Sequence, residues 1–489
     1  MSESAPEGAT THSGAVPDFL RAVLDLRHLP RAFWFMVGVF SIDAMAYFGV
    51  LTLMEMYLSA DLGWGDTWAT MAVSVFTGLV TLFMLGAGSY AEGFGLRRAV
   101  IGALVLCIIG RLIYCLVPGL SLIVGAFVVL GALLVTALGE AVIQPVCYSG
   151  VKQFSDERTS TMGYGLIYAI MNLGIVIMGA ISAWVRPGVQ AILDARKNGE
   201  TAPPSMLTWL ADHTGSGVQA VNWVSLAVTV LVLLGFMAVM TRRAEAAKIR
   251  PDRVEEHRRL DTRSLKQRLV EYFTAGPFAN LRFIVFIFLL LPVQTLWAHQ
   301  WLTMPAYILR AYPAEVGNRM EWIVNWINPG IVVIGVPLLT ALTRRVNIYT
   351  MILLGTSVQA APTFLLTFAP QLSLLIIYMV IFSIGETLWS ARFLEYAAEL
   401  APEGRVAQYM GLANVPWLLA KSTTGVYAGW LLGKYCPADT PRELLHTHTL
   451  WLIYTFVAIV TPIGLILVRK WVMAGLRTTP AAAAPAATP

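Results

Sequence analysis

The chain has 489 residues and a formal net charge of +5, with 57% hydrophobic and only 13% charged residues. Soluble domains carry about 25% charged residues, so the composition excludes an ordinary soluble protein and indicates segments that lie in a membrane. No zinc-ligand spacing or basic–aromatic patch accompanies the positive charge, which therefore does not indicate a nucleic-acid partner.

Twelve apolar stretches, each long enough to cross about 30 Å of hydrocarbon as a helix, follow one another along the chain. They predict helices at 32–58, 66–90, 97–117, 120–147, 161–186, 219–241, 279–310, 320–343, 347–368, 371–397, 408–434 and 447–473. The fold class is therefore predicted as an all-α integral membrane protein with twelve transmembrane helices. Residues 187–218 are predicted to form a longer loop that contains Pro and Gly.

The segments outside the helices are polar. Residues 1–31 are too polar for a signal peptide and are predicted to be a cytoplasmic N-terminal segment. Residues 242–276 form a basic linker, predicted to be cytoplasmic, between six-helix bundles at 32–241 and 277–473. The Ala/Pro-rich residues 474–489 predict a disordered tail. Two such bundles are typical of alternating-access carriers, in which the substrate lies between the halves.

Lysine and arginine residues between the helices lie mainly on one side of the predicted membrane. That side includes the basic run from Arg242 to Arg268, whereas the opposite side holds few basic residues, among them Arg186 and Arg310. The positive-inside rule then places both termini in the cytoplasm. We expect a plasma-membrane protein of the bacterial inner-membrane type, in contact with lipid and functional as a monomer.

A charged loop between the second and third predicted helices carries a recognisable pattern. Gly88, Glu92, Gly95, Arg97 and Arg98 have the spacing G-x-x-x-E-x-x-G-x-R-R. This resembles the G-x-x-x-D-x-x-G-x-[RK]-[RK] loop of the major facilitator superfamily, with Glu92 in place of Asp. The glycines permit a tight turn, and Glu92 can pair with an arginine or a helix N-terminus. The alternative is that Arg97 and Arg98 only reflect the general excess of basic residues in cytoplasmic loops and do not belong to a family motif.

Within that superfamily the sequence resembles the proton-dependent oligopeptide transporter (POT) family in both halves. The matching positions are Tyr47-Phe48-Gly49, Gly139 to Pro145, Tyr168 with Asn172 and Gly174, Asn328-Pro329 with Pro337, and Gly385-Glu386 with Ala401-Pro402. By position, the resemblance implies that Glu386 and Asn328 hold a substrate amino group. It also implies that Asn172 bonds a peptide amide or carboxylate, and that Tyr47 and Trp417 line the pocket.

Several charged positions of the POT pattern are missing. The family's helix 1 reads E-x-x-E-R-F, but Asp43, Ala44 and Met45 stand there, so one acid remains and the carboxylate-binding arginine is absent. The family's helix 4 lysine corresponds to Gln144 and its helix 7 acid to Ala298. Replacing both partners of a buried pair by neutral residues can be nearly neutral in energy. The departures therefore indicate a rewired site.

Each ionisable residue inside a span costs about 2.5–3.5 kcal/mol on insertion scales, so its presence indicates a function or a charged partner that offsets this cost. Asp43 is predicted to carry the coupling proton, alone or shared with Glu140 or His299. A static ion pair between Asp43 and Arg111 is the alternative. His299 lies on the helix that carries the family's gate acid, although a lone histidine is more often a packing residue.

Other buried charges are predicted to bind the substrate or close a gate. Glu386 is the predicted substrate anchor, and a structural pair with Lys421 is the alternative. Arg111 and Lys421 are the cations that could replace the lost carboxylate-binding pair. Arg392 and Glu395 are three residues apart on one helix and are predicted to pair in a structural or cytoplasmic-gate role.

Together these patterns predict a proton-coupled symporter of small peptides or peptide-like, amine-bearing solutes that works by alternating access. An uncoupled facilitator or an exporter of drugs or metabolites is a second hypothesis, and a non-transporting membrane sensor is a third. No hydrolase, phosphate-loop or zinc-protease motif indicates an enzyme. No metal and no cofactor are expected, and the proton gradient would drive transport.

Overall fold

The computed structural model of the chain describes residues 26–155, 159–200, 206–247, 274, 277–343, 346–399 and 412–476. All regular elements in these ranges are helical. The long helices of the first half are α1 (Arg31–Met56), α2 (Gly65–Phe94), α3 (Leu96–Cys115), α4 (Leu122–Gln153), α5 (Ser160–Lys197) and α6 (Gly217–Val239).

The second half contains six more helices in the described ranges, several of them interrupted. They are α7 (Leu281–Leu289, Leu291–Leu302 and Met304–Ala311), α8 (Met320–Trp322, Ile323–Ile327 and Asn328–Leu342), α9 (Ile348–Ala360, continued by Ala361–Thr367), α10 (Leu372–Glu399), α11 (Val415–Tyr435) and α12 (Thr447–Leu476). Short helices at Thr208–His213 and Arg242–Glu245 flank α6.

Ten of the twelve predicted spans are confirmed by length and hydropathy within the described residues. The other two predicted spans, α8 and α11, are helices at the predicted positions, but they are not long and apolar enough to count as spans by length and hydropathy. In α8 only the shorter stretch Met320–Val336 is apolar, and α11 carries Lys421 among glycines and hydroxyl residues. A helix that faces the polar interior of a bundle needs an apolar surface only where it meets lipid, which explains the weaker hydropathy of both.

The predicted loop at 187–218 is wrong over its first part, because α5 continues through Pro187 to Lys197. The apolar side of the helix continues past the proline, and Val189 and Ile192 are buried. Proline removes one backbone donor and kinks a helix. Buried apolar contacts on both sides of Pro187 outweigh this cost, so a proline alone was a poor marker for the end of the span.

The span predicted at 279–310 is confirmed over Leu281–Leu302, but α7 has interruptions at Leu290 and Thr303 that the sequence did not predict. Each interruption is followed by a proline in the first turn of the next piece, Pro292 or Pro305. Proline has no N–H and its ring collides with a preceding carbonyl, so it begins a helical piece more readily than it continues one. The apolar run is uninterrupted, which is why hydropathy alone predicts one helix.

The two halves meet along three helix pairs, α1 with α7, α2 with α11, and α5 with α8. The end of the bundle at which α1 ends and α2 begins is termed the upper end; it is the end predicted to be extracellular. Near that end α2 and α11 approach each other closely at Gly425 and Gly429. The Thr70 hydroxyl donates to the Gly425 carbonyl at 2.9 Å, and the Gly425 N–H donates to Ser74 Oγ at 2.9 Å.

A bulky residue at Gly429 is expected to force α2 and α11 apart. A Cβ there would lie 2.0 Å from Thr70 Oγ1 and 2.6 Å from the Asp66 carbonyl oxygen, whereas a Cβ on Gly433, one turn away, would lie 3.9 Å from Asp66 Oδ2. Overpacking typically costs about 1–3 kcal/mol, so Gly429→Leu should lower the melting temperature of the purified protein by several degrees. Gly433→Leu is the matched control, and equal melting of the two variants would contradict the prediction.

Candidate functional site

A cluster of two acids and one arginine lies inside the first half and is here termed the acid–arginine cluster (Asp43, Arg111 and Glu140). Arg111 Nη2 lies 2.5 Å from Glu140 Oε1, and Arg111 Nη1 lies 3.8 Å from Asp43 Oδ1. Arg111 Nη1 also donates to the Thr229 hydroxyl. Helices α1, α3, α4 and α6 each supply one of these four side chains, so the cluster joins most of the bundle.

The acid–arginine cluster contains one more acid than base. Its three side chains are buried, with 3%, 2% and 6% of Asp43, Arg111 and Glu140 exposed. One arginine balances one carboxylate, and a second uncompensated carboxylate in a low-dielectric interior is costly. A proton shared by Asp43 and Glu140 would neutralise the cluster. Asp43 Oδ1 has no hydrogen-bond partner in the described part of the chain, so it offers a place for that proton.

A thiol joins the acids and makes a possible metal-ligand set. Cys107 Sγ lies 3.6 Å from Glu140 Oε1, and ligand atoms of Asp43, Cys107 and Glu140 all lie within 4.8 Å of one another. The sequence did not predict this grouping. Arg111 already supplies a positive charge in direct contact with Glu140, so the arrangement favours a proton over a metal cation.

Tyr47 and Arg111 line the same small cavity inside the first half. The other walls are Val50, Met54, Phe76, Tyr114, Leu133 and Thr136. Tyr47 therefore lies beside the acid–arginine cluster, as well as being the aromatic residue that the POT resemblance assigns to the pocket. Arg111 was predicted as a substitute for the lost carboxylate-binding arginine, but its guanidinium is occupied by Glu140 and Thr229. A carboxylate would have to displace those partners.

Glu386 lies on α10 and is held by a neighbour on α8. Asn328 Nδ2 donates to Glu386 Oε2 at 2.7 Å and to Ser383 Oγ at 3.1 Å. The carboxylate is buried, with 7% of the residue exposed, and no cation lies within ion-pair distance of it among the described residues. The alternative prediction, a structural pair between Glu386 and Lys421, is therefore wrong. The predicted grouping of Glu386 with Asn328 is confirmed.

The third predicted polar contact, Asn172, lies on α5. Its Nδ2 donates to the Tyr168 carbonyl at 2.9 Å, one turn back on the same helix, which leaves the side-chain oxygen as the acceptor for a ligand. Helix α5 meets α8 in this region, because Trp326 Nε1 of α8 donates to the Val176 carbonyl of α5 at 2.9 Å. The two asparagines and Glu386 thus lie near the same interface between the halves.

Lys421 and Trp417 lie on α11 and are grouped with a tryptophan of α7. Lys421 Nζ lies 5.6 Å from the ring centroid of Trp297 and 5.9 Å from that of Trp417, and the two rings meet edge to face at 4.8 Å. Lys421 Nζ also lies 3.5 Å from the Thr81 hydroxyl of α2. Predicted pocket residues Trp417 and Lys421 therefore form one site at the α2–α11 contact.

His299 lies apart from the acid–arginine cluster. Its Nδ1 is 2.9 Å from the Thr303 hydroxyl, its Nε2 is 3.3 Å from the Tyr427 hydroxyl, and its ring stacks on Tyr454 with centroids 3.8 Å apart. These partners come from α7, α11 and α12. The prediction that His299 shares a proton with Asp43 gains no support from this placement, because hydroxyl groups satisfy both ring nitrogens.

The major-facilitator loop motif lies at the junction of α2 and α3. Gly95 has φ +83°, a conformation that favours glycine. Arg97 donates from its backbone N–H to Glu245 Oε1 at 3.0 Å and from Nε to the Met240 carbonyl at 2.6 Å. This residue therefore fixes the end of the first half against the start of the linker. Arg98 is exposed.

Some predicted gate residues cannot be placed. The side chains of Gly88, Glu92 and Glu395 lie outside the described residues, so the Arg392–Glu395 pair and the partner of Glu92 stay predictions. Arg392 itself is buried, and its Nη2 lies 3.4 Å from the Thr343 hydroxyl at the end of α8.

Two ion pairs at the upper end were missed. Arg186 of α5 pairs with Glu321 of α8 and also donates to the Gly317 carbonyl at 2.8 Å. Arg310 of α7 makes two bonds, of 2.6 and 2.7 Å, to the Asp66 carboxylate of α2. Both arginines are the last residues of predicted helices, at 186 and 310, and were counted with the basic residues of the loops on that side. Their proximity to helix ends was the available signal, but nothing in the sequence identified the acids across the interface.

A third acid strengthens the Arg310 contact. Glu55 of α1 is 1% exposed and its Oε1 lies 3.9 Å from Arg310 Nη2. Arg310 therefore ties α7 to both α1 and α2, while Arg186 ties α5 to α8. Each of the three helix pairs that these arginines join, α7 with α1, α7 with α2 and α5 with α8, consists of one helix from each half, so these ion pairs hold the halves together at the upper end.

Comparison with known proteins extends these observations. The family model described as Major Facilitator Superfamily matches residues 34–423. No curated protein matches the sequence significantly. A POT family transporter in complex with 5-aminolevulinic acid is similar in structure, with TM-score 0.64, 17% identity, and coverage of 91% of this chain and 97% of that one.

Two further solved structures are similar to the same extent. One comes from work on substrate recognition in proton dependent oligopeptide transporters, with TM-score 0.65, 14% identity and coverage of 91% and 98%. The other is the peptide transporter POT in complex with sulfate, with TM-score 0.65, 15% identity and coverage of 91% and 96%. At these identities the similarity is one of fold.

Proposed function

Because this chain belongs to the Major Facilitator Superfamily, a family of transporters, we propose that it is a proton-coupled symporter of small peptides or peptide-like, amine-bearing solutes. It works by alternating access, with the substrate between the two halves. In the predicted orientation both termini are cytoplasmic, the upper end is extracellular, and the proton gradient across a plasma membrane drives the monomer.

The observation that carries this proposal is the state of Glu386. A buried carboxylate that has an amide donor but no cation can accept a charged amino group from a ligand. Asn328 holds the carboxylate in place through the 2.7 Å bond, and Asn172 lies on the facing helix of the other half. A fold relative that binds 5-aminolevulinic acid, which carries an amine, is consistent with this choice of substrate.

The acid–arginine cluster supports the coupling to protons. Its excess acid makes one bound proton the electroneutral state, and the cluster lies on helices of the half that must move relative to Glu386. A ligand or ion changes a conformational equilibrium only by binding one state better than the other. A proton on Asp43 or Glu140 would shift the equilibrium between the inward-facing and outward-facing conformations if the second half contacts the acid–arginine cluster in only one of them.

Asp43→Asn is expected to abolish uptake driven by a pH gradient while leaving exchange intact. The amide keeps the shape of the side chain but cannot take up a proton. Purified protein in liposomes would be tested with labelled dialanine, once with an acidic exterior and once by counterflow without a gradient. Asp61→Asn is the matched control, because Asp61 is an exposed acid at the upper end of the same helix. Gradient-driven uptake by Asp43→Asn at the wild-type rate would rule out the proton assignment.

One observation favours a second candidate, an exporter or facilitator of organic cations. Arg111 is occupied by Glu140 and Thr229, so the first half offers no free cation there for a peptide carboxylate. The Glu386 carboxylate, which has an amide donor but no cation partner among the described residues, would suit an organic cation. Binding of labelled tetraphenylphosphonium that unlabelled tetraphenylphosphonium displaces and dialanine does not displace would favour this candidate.

A further inference from the structure

Lys421 differs from other cations in the spans. Arg111, Arg186 and Arg310 each contact a carboxylate. Lys421 has no carboxylate within ion-pair distance among the described residues, and its hydrogen bond to Thr81 Oγ1 is long at 3.5 Å. The ammonium group can donate three hydrogen bonds, so most of its capacity is unused.

The surroundings of Lys421 only partly compensate for its burial. The faces of Trp297 and Trp417, at 5.6 and 5.9 Å, attract a cation. Their attraction is smaller than the cost of placing a lysine at mid-membrane depth. Trp301 packs edge to face on Trp297 with centroids 4.4 Å apart, so the aromatic wall is fixed. The site is a half-buried ammonium group against two indole rings, with donor capacity left for a ligand.

Lys421 and Glu386 lie at similar depths on α11 and α10, which follow each other along the chain in the second half. Each is fourteen residues from the upper end of its helix, at Tyr435 of α11 and Leu372 of α10 respectively. With 1.5 Å per residue, both lie roughly 21 Å from those ends. Lys421 reaches α2 through Thr81, whereas Glu386 lies at the α5–α8 contact. An uncompensated anion and an uncompensated cation therefore flank the interface between the halves.

We infer that Lys421, with the faces of Trp297 and Trp417, binds the carboxylate of the transported solute, which is therefore a zwitterion held between Glu386 and Lys421. This inference rests on the proposed function for the amine end. The ammonium of Lys421 donates charge-assisted hydrogen bonds to the carboxylate. The indole faces pack against the apolar atoms beside it. The carboxylate contact is thus made by α11 of the second half and not by Arg111.

A monocarboxylate tests the site without involving Glu386. Butyrate and butyramide have the same shape but differ in charge, and neither carries an amine. We expect butyrate to raise the melting temperature of the full-length protein at a concentration at least tenfold lower than butyramide. Butyrate that performs no better than butyramide on the wild-type protein would overturn the inference, and this comparison needs no variant.

Variants then show whether the preference for butyrate over butyramide depends on Lys421. Lys421→Gln should bind the two probes equally within about twofold, and Lys421→Arg should keep the preference for butyrate. Lys434→Gln is the matched control, because Lys434 is an exposed lysine of the same helix that lies 4.8 Å from the Trp430 ring. A preference for butyrate that survives in Lys421→Gln would also overturn the inference.

The same measurements separate this inference from the proposed function. If the chain does not carry peptide-like amines, dialanine uptake fails while the butyrate preference and its loss in Lys421→Gln persist. If only the carboxylate site is wrong, dialanine is transported equally well by the wild-type protein and Lys421→Gln, and butyrate shows no preference that depends on Lys421.

Discussion

Arg186→Met should lower the free energy of unfolding by about 3–5 kcal/mol, because it leaves the carboxylate of Glu321 without its cation. Glu321 is 0% exposed and receives a second bond, of 3.0 Å, from Arg186 Nη2. The cost can also be relieved by separation of α5 from α8, which would hydrate the acid. We therefore expect both a lower melting temperature and faster labelling of a cysteine introduced at Gly317.

Two further variants make this prediction specific. Arg186→Met combined with Glu321→Gln removes both charges and should recover most of the lost stability. Arg196→Met breaks the pair between Arg196 and Asp212, whose side chains are 39% and 48% exposed. An exposed pair of this kind contributes about 0.2–1 kcal/mol, so its loss should hardly change the melting temperature. The prediction fails if Arg186→Met melts like Arg196→Met.

Glu386→Gln should weaken binding of an amine-bearing substrate about 100-fold or more. Removing one partner of a buried charged hydrogen bond costs about 2–5 kcal/mol, and 1.4 kcal/mol is a factor of ten in affinity. Glutamine can still accept the bond from Asn328 through its carbonyl, so the local structure should persist. Competition between labelled and unlabelled dialanine on purified protein measures the loss.

The control for Glu386→Gln comes from the ligand and from Ser383. N-acetyldialanine lacks the charged amine, so its weaker binding should be the same for the wild-type protein and the variant. Ser383→Ala removes the second acceptor of Asn328, at 3.1 Å, while the carboxylate stays. We expect a loss of less than tenfold there. Equal losses for Glu386→Gln and Ser383→Ala would mean that position, not charge, determines affinity.

Periodicity and motif order predicted much of the fold, because the membrane imposes a length and an apolar surface on every span. They did not predict the breaks of α7 or the extension of α5 through Pro187. Both depend on whether tertiary contacts outweigh the local effect of a proline. The sequence also did not predict the π-helical turn at Ile323–Ile327, which directly precedes Asn328.

Only part of the candidate site could be predicted, because some of its contacts depend on how the helices pack against one another. The grouping of Glu386 with Asn328 followed from a family pattern that specifies two positions at once. The pairing of Arg111 with Glu140 depends on the relative rotation of α3 and α4, which spacing along the chain does not determine. Arg186 and Arg310 were misassigned because a count of basic residues by loop treats an arginine near a helix end as hydrated, yet both are buried against acids of the other half.

The contact between α2 and α11 limits how strongly the upper end can close. Thr70 and Ser74 bond to backbone atoms of Gly425, and Gly429 leaves no space for a side chain. Apolar bulk cannot be added to this contact, and each hydroxyl bond contributes only about 1 kcal/mol net. Release of this one contact is therefore within reach of the binding energy of one small solute, whereas opening of the whole upper end must also break the Arg186–Glu321 and Arg310–Asp66 ion pairs. The ion pairs, and not the contact between α2 and α11, therefore set most of the energy that is needed to open the upper end.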